Sequence, residues 1–174
     1  MRQKTMLDKI LSVNNMNEAF KKVKRNKGAA GADNLTIEEA EEYIRGHHGE
    51  FLRQIRQRQY TPQPVLRVEI PKASGGVRLL GIPTVVDRVI QHAIAQVLTP
   101  IFEEIFHENS YGFRPGKNGQ MAVLKSLEHI NEGYQCLVDI DLEKFFDTVN
   151  HDRLMNLVAH QVTDGDVISL IRKY

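Results

Sequence analysis

Cysteine is nearly absent from this 174-residue chain: Cys136 is the only one. No disulfide framework can form, and a reducing cytoplasm is the expected compartment. No apolar run approaches the roughly 20 residues needed to span a bilayer, which excludes a helical membrane protein. The start, Met1-Arg2-Gln3-Lys4, lacks the apolar stretch of a secretory signal. Internal repeats and low-complexity linkers are missing too. So are a GxxxxGK phosphate loop and any serine or cysteine nucleophile motif, which removes the common nucleotide-hydrolase and acyl-transfer classes.

What is present is the composition of a globular protein, 41% hydrophobic and 26% charged. The net charge of +1 conceals a gradient. Lys/Arg outnumber Asp/Glu by 12 to 8 over residues 1–60 and stand at 6 to 5 over 61–117, then fall to 5 against 9 over 118–174. A basic front and an acidic back suit a chain that holds a polyanion at one end and metal ions at the other, though solvated faces produce the same unevenness.

Residues 4–13 and 16–26 read as two short helices, the second with Asn15 as N-cap. Lys21, Lys22, Lys24, Arg25 and Lys27 crowd five cations into seven positions before the break Gly28–Asp33. Thr36 with Glu39 is a capping-box signature. The helix it opens is expected to stop near Arg45, with Gly46-His47-His48-Gly49 separating it from another at about 50–58. Alternation in Val65–Ile70 predicts a half-buried strand, and Ala73–Gly76 a turn into the partner strand Val77–Leu80. Apolar residues from Val85 to Leu98 recur at helical spacing, with a new turn expected at Thr99-Pro100. Asn118 caps a helix to Asn131. Cys136–Asp141 reads as a central strand. Helices follow at about 151–160 and from Thr163, where Thr163 and Asp166 look like a capping pair.

Val138-Asp139-Ile140-Asp141-Leu142-Glu143-Lys144-Phe145-Phe146-Asp147 carries the strongest chemical signal. Carboxylates crowded at the end of a buried strand repel one another unless cations meet them. A hard oxygen site for Mg²⁺, completed by substrate phosphates, resolves that conflict and points to phosphoryl or nucleotidyl transfer. Ordinary strand-end and helix-capping roles for the same acids stay open at this point. A calcium loop is excluded, because Lys144 stands where it needs glycine and Asn150 where it needs glutamate. On the hairpin, Lys72 and Arg78 flank Ser74, Gly75 and Gly76, an arrangement that suits a triphosphate and equally a solvated turn.

In order and spacing these pieces resemble the reverse transcriptases encoded by group II introns. The matching stretches are Asn26–Asp33, Tyr60–Val65, Val68–Lys72, Gly75–Gln91, Ser110–Gly116 and Asp141–His151, which together cover nearly the whole chain. The resemblance implies an α+β right-hand polymerase: helical extension and fingers over 1–59, fingers with β-hairpin and long helix over 60–117, and an incomplete palm over 118–174. It implies that Asp141 is the first catalytic aspartate, holding two Mg²⁺ ions with help from the Leu142 carbonyl. Phe146 resembles the gate against a ribose 2′-hydroxyl, and Lys72 and Arg78 resemble the residues that clasp the incoming triphosphate. Arg114 lies in a motif lining the template and nucleotide pocket. Lys21, Lys22, Lys24, Arg25 and Lys27 resemble an RNA-holding extension. The partners implied are template and intron RNA, a DNA primer and deoxynucleoside triphosphates.

Three departures accompany it. Leu79 stands where the family commonly has proline, and Lys117-Asn118-Gly119-Gln120 replaces an Arg and His after the loop. Nothing matches the aromatic-x-Asp-Asp hairpin that supplies the remaining catalytic aspartates. The expectation is therefore a polymerase fragment inactive alone. The rivals are a truncated, non-catalytic RNA-binding or self-associating module, with a homodimer as its partner form, and an unrelated metal-dependent phosphohydrolase.

Overall fold

The computed structural model describes residues 4–71, 73, 75–142 and 144–174. Lys72, Ser74 and Glu143, named above, lie outside the described residues.

Local capping starts the first helices. Thr5 and Asp8 form a reciprocal capping box at α1 (Met6–Ile10), and Thr36 and Glu39 form another at α3 (Ile37–Arg56). Between them, α2 (Val13–Asn26) is capped by the Ser12 hydroxyl rather than by Asn15. Asn15 is already inside the helix, and its Nδ2 donates to Ile10 O and, at 2.9 Å, to Ala93 O. A side chain engaged across the fold in this way cannot also cap its own helix.

Helix α3 passes straight through Gly46-His47-His48-Gly49 instead of breaking there. Each glycine costs about 1 kcal/mol inside a helix. Against that, one continuous helix keeps Ile44, Phe51, Leu52 and Ile55 on the core. Tyr43, His47 and Phe51 also pack as neighbouring rings, with centroids 4.3 Å apart for the first pair and 5.5 Å for Tyr43 and Phe51.

Strands β1 (Leu66–Pro71) and β2 (Val77–Ile82) pair antiparallel, with Leu66 opposite Ile82, Val68 opposite Leu80 and Ile70 opposite Arg78. Gly75 and Gly76 turn the chain at φ +88° and +84°, a conformation other residues rarely adopt. The strands are not half-buried as their alternation predicts. Both faces are largely exposed, since the strands pair chiefly with each other.

Helix α4 (Val85–Glu103) is the centre of the core, with Val85, Val89, Ile90 and Ala93 buried against α1, α2 and α3. It continues through Pro100, where a fresh turn was expected. Near the helix end the proline removes one backbone bond, while Phe102 stays packed on the core.

Asn118 caps α5 (Gly119–Asn131), whose apolar residues Val123, Leu124 and Ile130 are exposed. The segment 135–142 forms no strand. A central strand needs ladder partners, and among the described residues the only strands pair with each other. Beyond α6 (Phe145–Thr148) and α7 (His151–Gln161), the last helix α8 (Gly165–Ile171) is capped by Asp164, not Thr163. Asp164 Oδ1 accepts from the Asp166 and Val167 amides, and its Oδ2 accepts from Leu7 N at 3.0 Å. Helix α8 thus closes on α1, burying Val162, Val167 and Leu170 with Leu7 and Ile10.

Candidate functional site

One cleft, of about 720 Å³, is lined by Arg78 from β2 and by Ile140, Asp141, Leu142, Lys144, Phe145, Phe146 and Asp147. The polypeptide enters it without regular secondary structure. Asp141 Oδ1 accepts from its neighbour's amide, Leu142 N, at 2.9 Å. Lys144 adopts the left-handed conformation, φ 51° and ψ 38°, and begins the single turn α6. That turn presents Phe145 and Phe146 as an edge-to-face pair 5.6 Å apart, with Phe146 87% exposed at the cleft. The structure therefore brings together Asp141, Leu142, Phe146 and Arg78.

Among the described residues no three acidic, histidine or cysteine side chains converge on one point. Asp141 and Asp147 share the cleft wall, an oxygen donor set compatible with a hard cation that takes one or two carboxylates and fills its other positions from water and phosphate.

Arg114 stands apart from that cleft. Its Nε and Nη2 donate to the Glu103 carboxylate at 2.9–3.2 Å, and its Nη1 donates to His107 O at 2.7 Å and Ser110 O at 3.0 Å. The guanidinium also sits over the Phe106 ring, 5.2 Å from its centroid, and the side chain is only 8% exposed. Four of its five N–H groups are thereby spent on shaping the loop between α4 and α5.

The five cations of α2 and its end fall into two groups. Lys21 pairs with Glu18 at 2.8 Å and Lys24 with Glu41 of α3 at 2.9 Å. Lys22, Arg25 and Lys27 are exposed and make no ion pair among the described residues.

Two features escaped the motif reading. Asp87, 1% exposed, receives Tyr60 Oη at 2.7 Å and Tyr174 Oη at 3.0 Å on Oδ1, and Gln63 N at 3.1 Å and Thr84 Oγ1 at 2.8 Å on Oδ2. Burial, reinforced by the Asp87 carboxylate, raises the Tyr60 hydroxyl well above the usual range; burial and the neighbouring Tyr60 do the same to Tyr174. Thr84 followed by Asp87 before an apolar run is a capping signature that marks this spot. The second feature is Gly31. A Cβ there would lie 2.6 Å from Thr84 Cα and 2.9 Å from Pro83 C, so the glycine loop is pressed directly on the start of α4.

With this geometry in view, the chain belongs to the reverse transcriptase (RNA-dependent DNA polymerase) family, whose sequence profile matches residues 70–174. The relatives it resembles include group II intron-encoded proteins and maturases. It is 31% identical over 157 residues to the group II intron-encoded protein LtrA of Lactococcus lactis subsp. cremoris, covering 90% of this chain and 26% of that protein. It is 37% identical over 118 residues to protein YkfC of Escherichia coli (strain K12), covering 66% of this chain and 31% of that one. With nuclear intron maturase 1, mitochondrial, of Arabidopsis thaliana it shares 34% over 89 residues, which is 51% of this chain and 12% of the maturase. The chain thus spans less than a third of the length of these relatives. Among the described residues no helix is long and apolar enough to cross a membrane.

Proposed function

We propose that this chain supplies the fingers and the first palm segment of an RNA-directed DNA polymerase of the group II intron type. The observation that carries the reading is the shared cleft. Arg78, from a hairpin, and Asp141 with Phe146, from a distant segment, line one space large enough for a nucleotide.

In this reading Arg78 offers a planar fork to the triphosphate of an incoming deoxynucleotide, with Lys72 as a second cation on the same hairpin. The Phe146 ring leaves no room for a ribose 2′-hydroxyl. Asp141 and the Leu142 carbonyl hold Mg²⁺, which supplies charge neutralisation at the reacting phosphate when bound. Arg114 acts on the nucleotide pocket by fixing the loop beside it. The template and intron RNA lie along the basic face of α2, and a DNA primer provides the 3′-hydroxyl. Because only Asp141 and Asp147 offer carboxylates to the cleft among the described residues, the chain by itself does not extend a primer.

Equilibrium binding of a fluorescent deoxynucleoside triphosphate in Mg²⁺ tests this. Binding is expected, and Arg78→Ala is expected to weaken it at least tenfold, the scale of one charge-assisted hydrogen-bond pair. Binding that ignores both Arg78→Ala and Asp141→Asn would overturn the assignment. Magnesium-dependent primer extension by the chain, abolished by Asp141→Ala, would overturn the predicted inactivity.

A second reading, a non-catalytic RNA-binding or self-associating module, is favoured by one observation. Val123, Leu124 and Ile130 of α5 and Leu137, Val138 and Ile140 beyond it are all exposed, an apolar area larger than single surface residues produce. RNA binding with a steep salt slope, a dimer in solution and no nucleotide binding would favour this reading over the first.

A further inference from the structure

The β-hairpin that carries Arg78 is steered mainly from its two ends. Its strands pair chiefly with each other, and both faces are largely exposed. Arg78 stands four residues up β2 from Ile82, about 13 Å at the usual rise of a strand. A tilt of about 15° at the base therefore carries Arg78 sideways by about 3 Å, the length of a whole hydrogen bond. How the base is held decides where the guanidinium stands.

Both ends of the hairpin meet on one oxygen atom. Gln63, just before β1, donates its backbone N–H to Asp87 Oδ2 at 3.1 Å. Thr84, just after β2, donates its hydroxyl to the same oxygen at 2.8 Å. Thr84 Oγ1 in turn accepts from Asp87 N at 3.1 Å, so the incoming and outgoing chain are both tied to the first turn of α4. The other oxygen, Oδ1, takes Tyr60 Oη at 2.7 Å and Tyr174 Oη at 3.0 Å. Tyr174 comes from just past α8. Beside it, Lys173 Nζ donates at 2.6 Å to both Arg58 O and Tyr60 O, gripping the segment that leads to Gln63. One buried carboxylate thus joins the root of the hairpin to the end of α8, downstream of the Asp141 segment.

A carboxylate only 1% exposed and met by neutral donors is costly to bury. Helix capping does not call for it, because the Thr84 hydroxyl already caps α4. A carboxylate accepts on every side and donates on none, which is what four converging donors need.

We propose that Asp87 is a positioning residue for nucleotide binding: it aims the hairpin so that Arg78 faces Asp141 across the cleft. Asp87 is not itself among the residues lining that cleft. The inference rests on the proposed role of Arg78 in holding a triphosphate and adds the residue that places it.

The test is a double-mutant cycle on the full chain, comparing the parent, Asp87→Asn, Arg78→Ala and the two combined. Equilibrium binding of a fluorescent deoxynucleoside triphosphate in Mg²⁺ is the readout. Asparagine keeps the shape of the side chain and surrenders one of its two acceptor atoms, so the anchor loosens while the space stays filled. Asp87→Asn is expected to weaken binding by about threefold to tenfold, within the loss caused by Arg78→Ala. The double variant is expected within about twofold of Arg78→Ala alone, since an anchor that acts through Arg78 then has nothing to aim. A general loss of folded protein would instead multiply the two effects. If circular dichroism shows Asp87→Asn unfolded at the titration temperature, Tyr174→Phe takes its place, with a loss of about two- to threefold and again no further loss beside Arg78→Ala. Binding that needs Arg78 but ignores the anchor variant, or a double variant weakened by the product of the single effects, overturns the positioning role and leaves the nucleotide site standing. A parent chain that does not bind the triphosphate, or binds it no better than Arg78→Ala does, overturns the nucleotide reading itself, and the anchor with it.

Discussion

Two glycine-to-alanine substitutions, at Gly31 and Gly46, should change stability in opposite directions. At Gly31 the added methyl would stand 2.6 Å from Thr84 Cα, 2.7 Å from Thr84 N and 2.9 Å from Pro83 C. All three are backbone atoms at the start of α4, which is pinned by Val85 and Val86 in the core, so they cannot swing aside as a side-chain tip does. The loop must retreat by a large part of an ångström and would strain the Arg88–Ala29 hydrogen bond. Overpacking of this kind costs about 1–3 kcal/mol. At Gly46, inside α3, no heavy atom lies within 4 Å of the added methyl. Alanine there removes backbone freedom from the unfolded chain and gains about 1 kcal/mol. The two variants should therefore differ by about 3 kcal/mol. With a urea slope of about 2 kcal/mol/M, their unfolding midpoints should separate by roughly 1.5 M, the parent lying between them. A Gly31→Ala midpoint at or above that of the parent would refute the close-approach argument, and a Gly46→Ala midpoint below it would refute the unbroken α3.

Three further perturbations follow from the site. Arg114→Leu leaves the partly buried Glu103 carboxylate without its guanidinium, and a loss of about 3 kcal/mol is expected; unfolding by urea measures it, and faster proteolysis within 107–117 should accompany it. Tyr174→Phe removes one of four donors to the Asp87 carboxylate and should cost about 1–2 kcal/mol, read as a lower melting temperature, with no change predicted if that bond does not form in solution. The folded chain holds His92 below its unfolded value, so the unfolded state binds the proton more readily and stability should fall as pH drops through the ordinary histidine range near 6.5. His92→Gln should flatten the difference in melting temperature between pH 7.5 and pH 5.5; an unchanged difference would show that His92 does not carry it.

Features written in a few adjacent residues were legible in the sequence. The Thr36–Glu39 capping box, the Gly75-Gly76 turn and the apolar stripe of α4 are each decided locally, and each formed as its pattern says. What failed depended on partners that periodicity does not name. Alternation in β1 shows that its two faces differ in polarity but not whether anything covers one of them. The run 136–141 has strand-like composition, yet a strand is a relation between segments, and among the described residues none pairs with it. The glycines at 46 and 49 look like a stop until the apolar register on either side is found to need one continuous helix. Within the candidate site, Asp141, Phe146 and Arg78 could be named from motif order and do face one cleft. Arg114 could be named too, but not its chelation of Glu103, which depends on how the loop closes. Asp87 was hidden because an acid on an apolar helix gives no hint of the two tyrosines that will reach it.

Helix α8 lies against α1, with Asp164 accepting from Leu7 across 157 positions of sequence. During synthesis, α2 and α4 can associate as soon as both have left the ribosome, but Leu7 and Ile10 must wait for Val162, Val167 and Leu170 before their side of the core is covered. Closing so long a loop is slow compared with forming local helices. The nascent chain therefore passes through a stage in which its α1 face is sticky, and it is at that stage that chaperones would find something to hold.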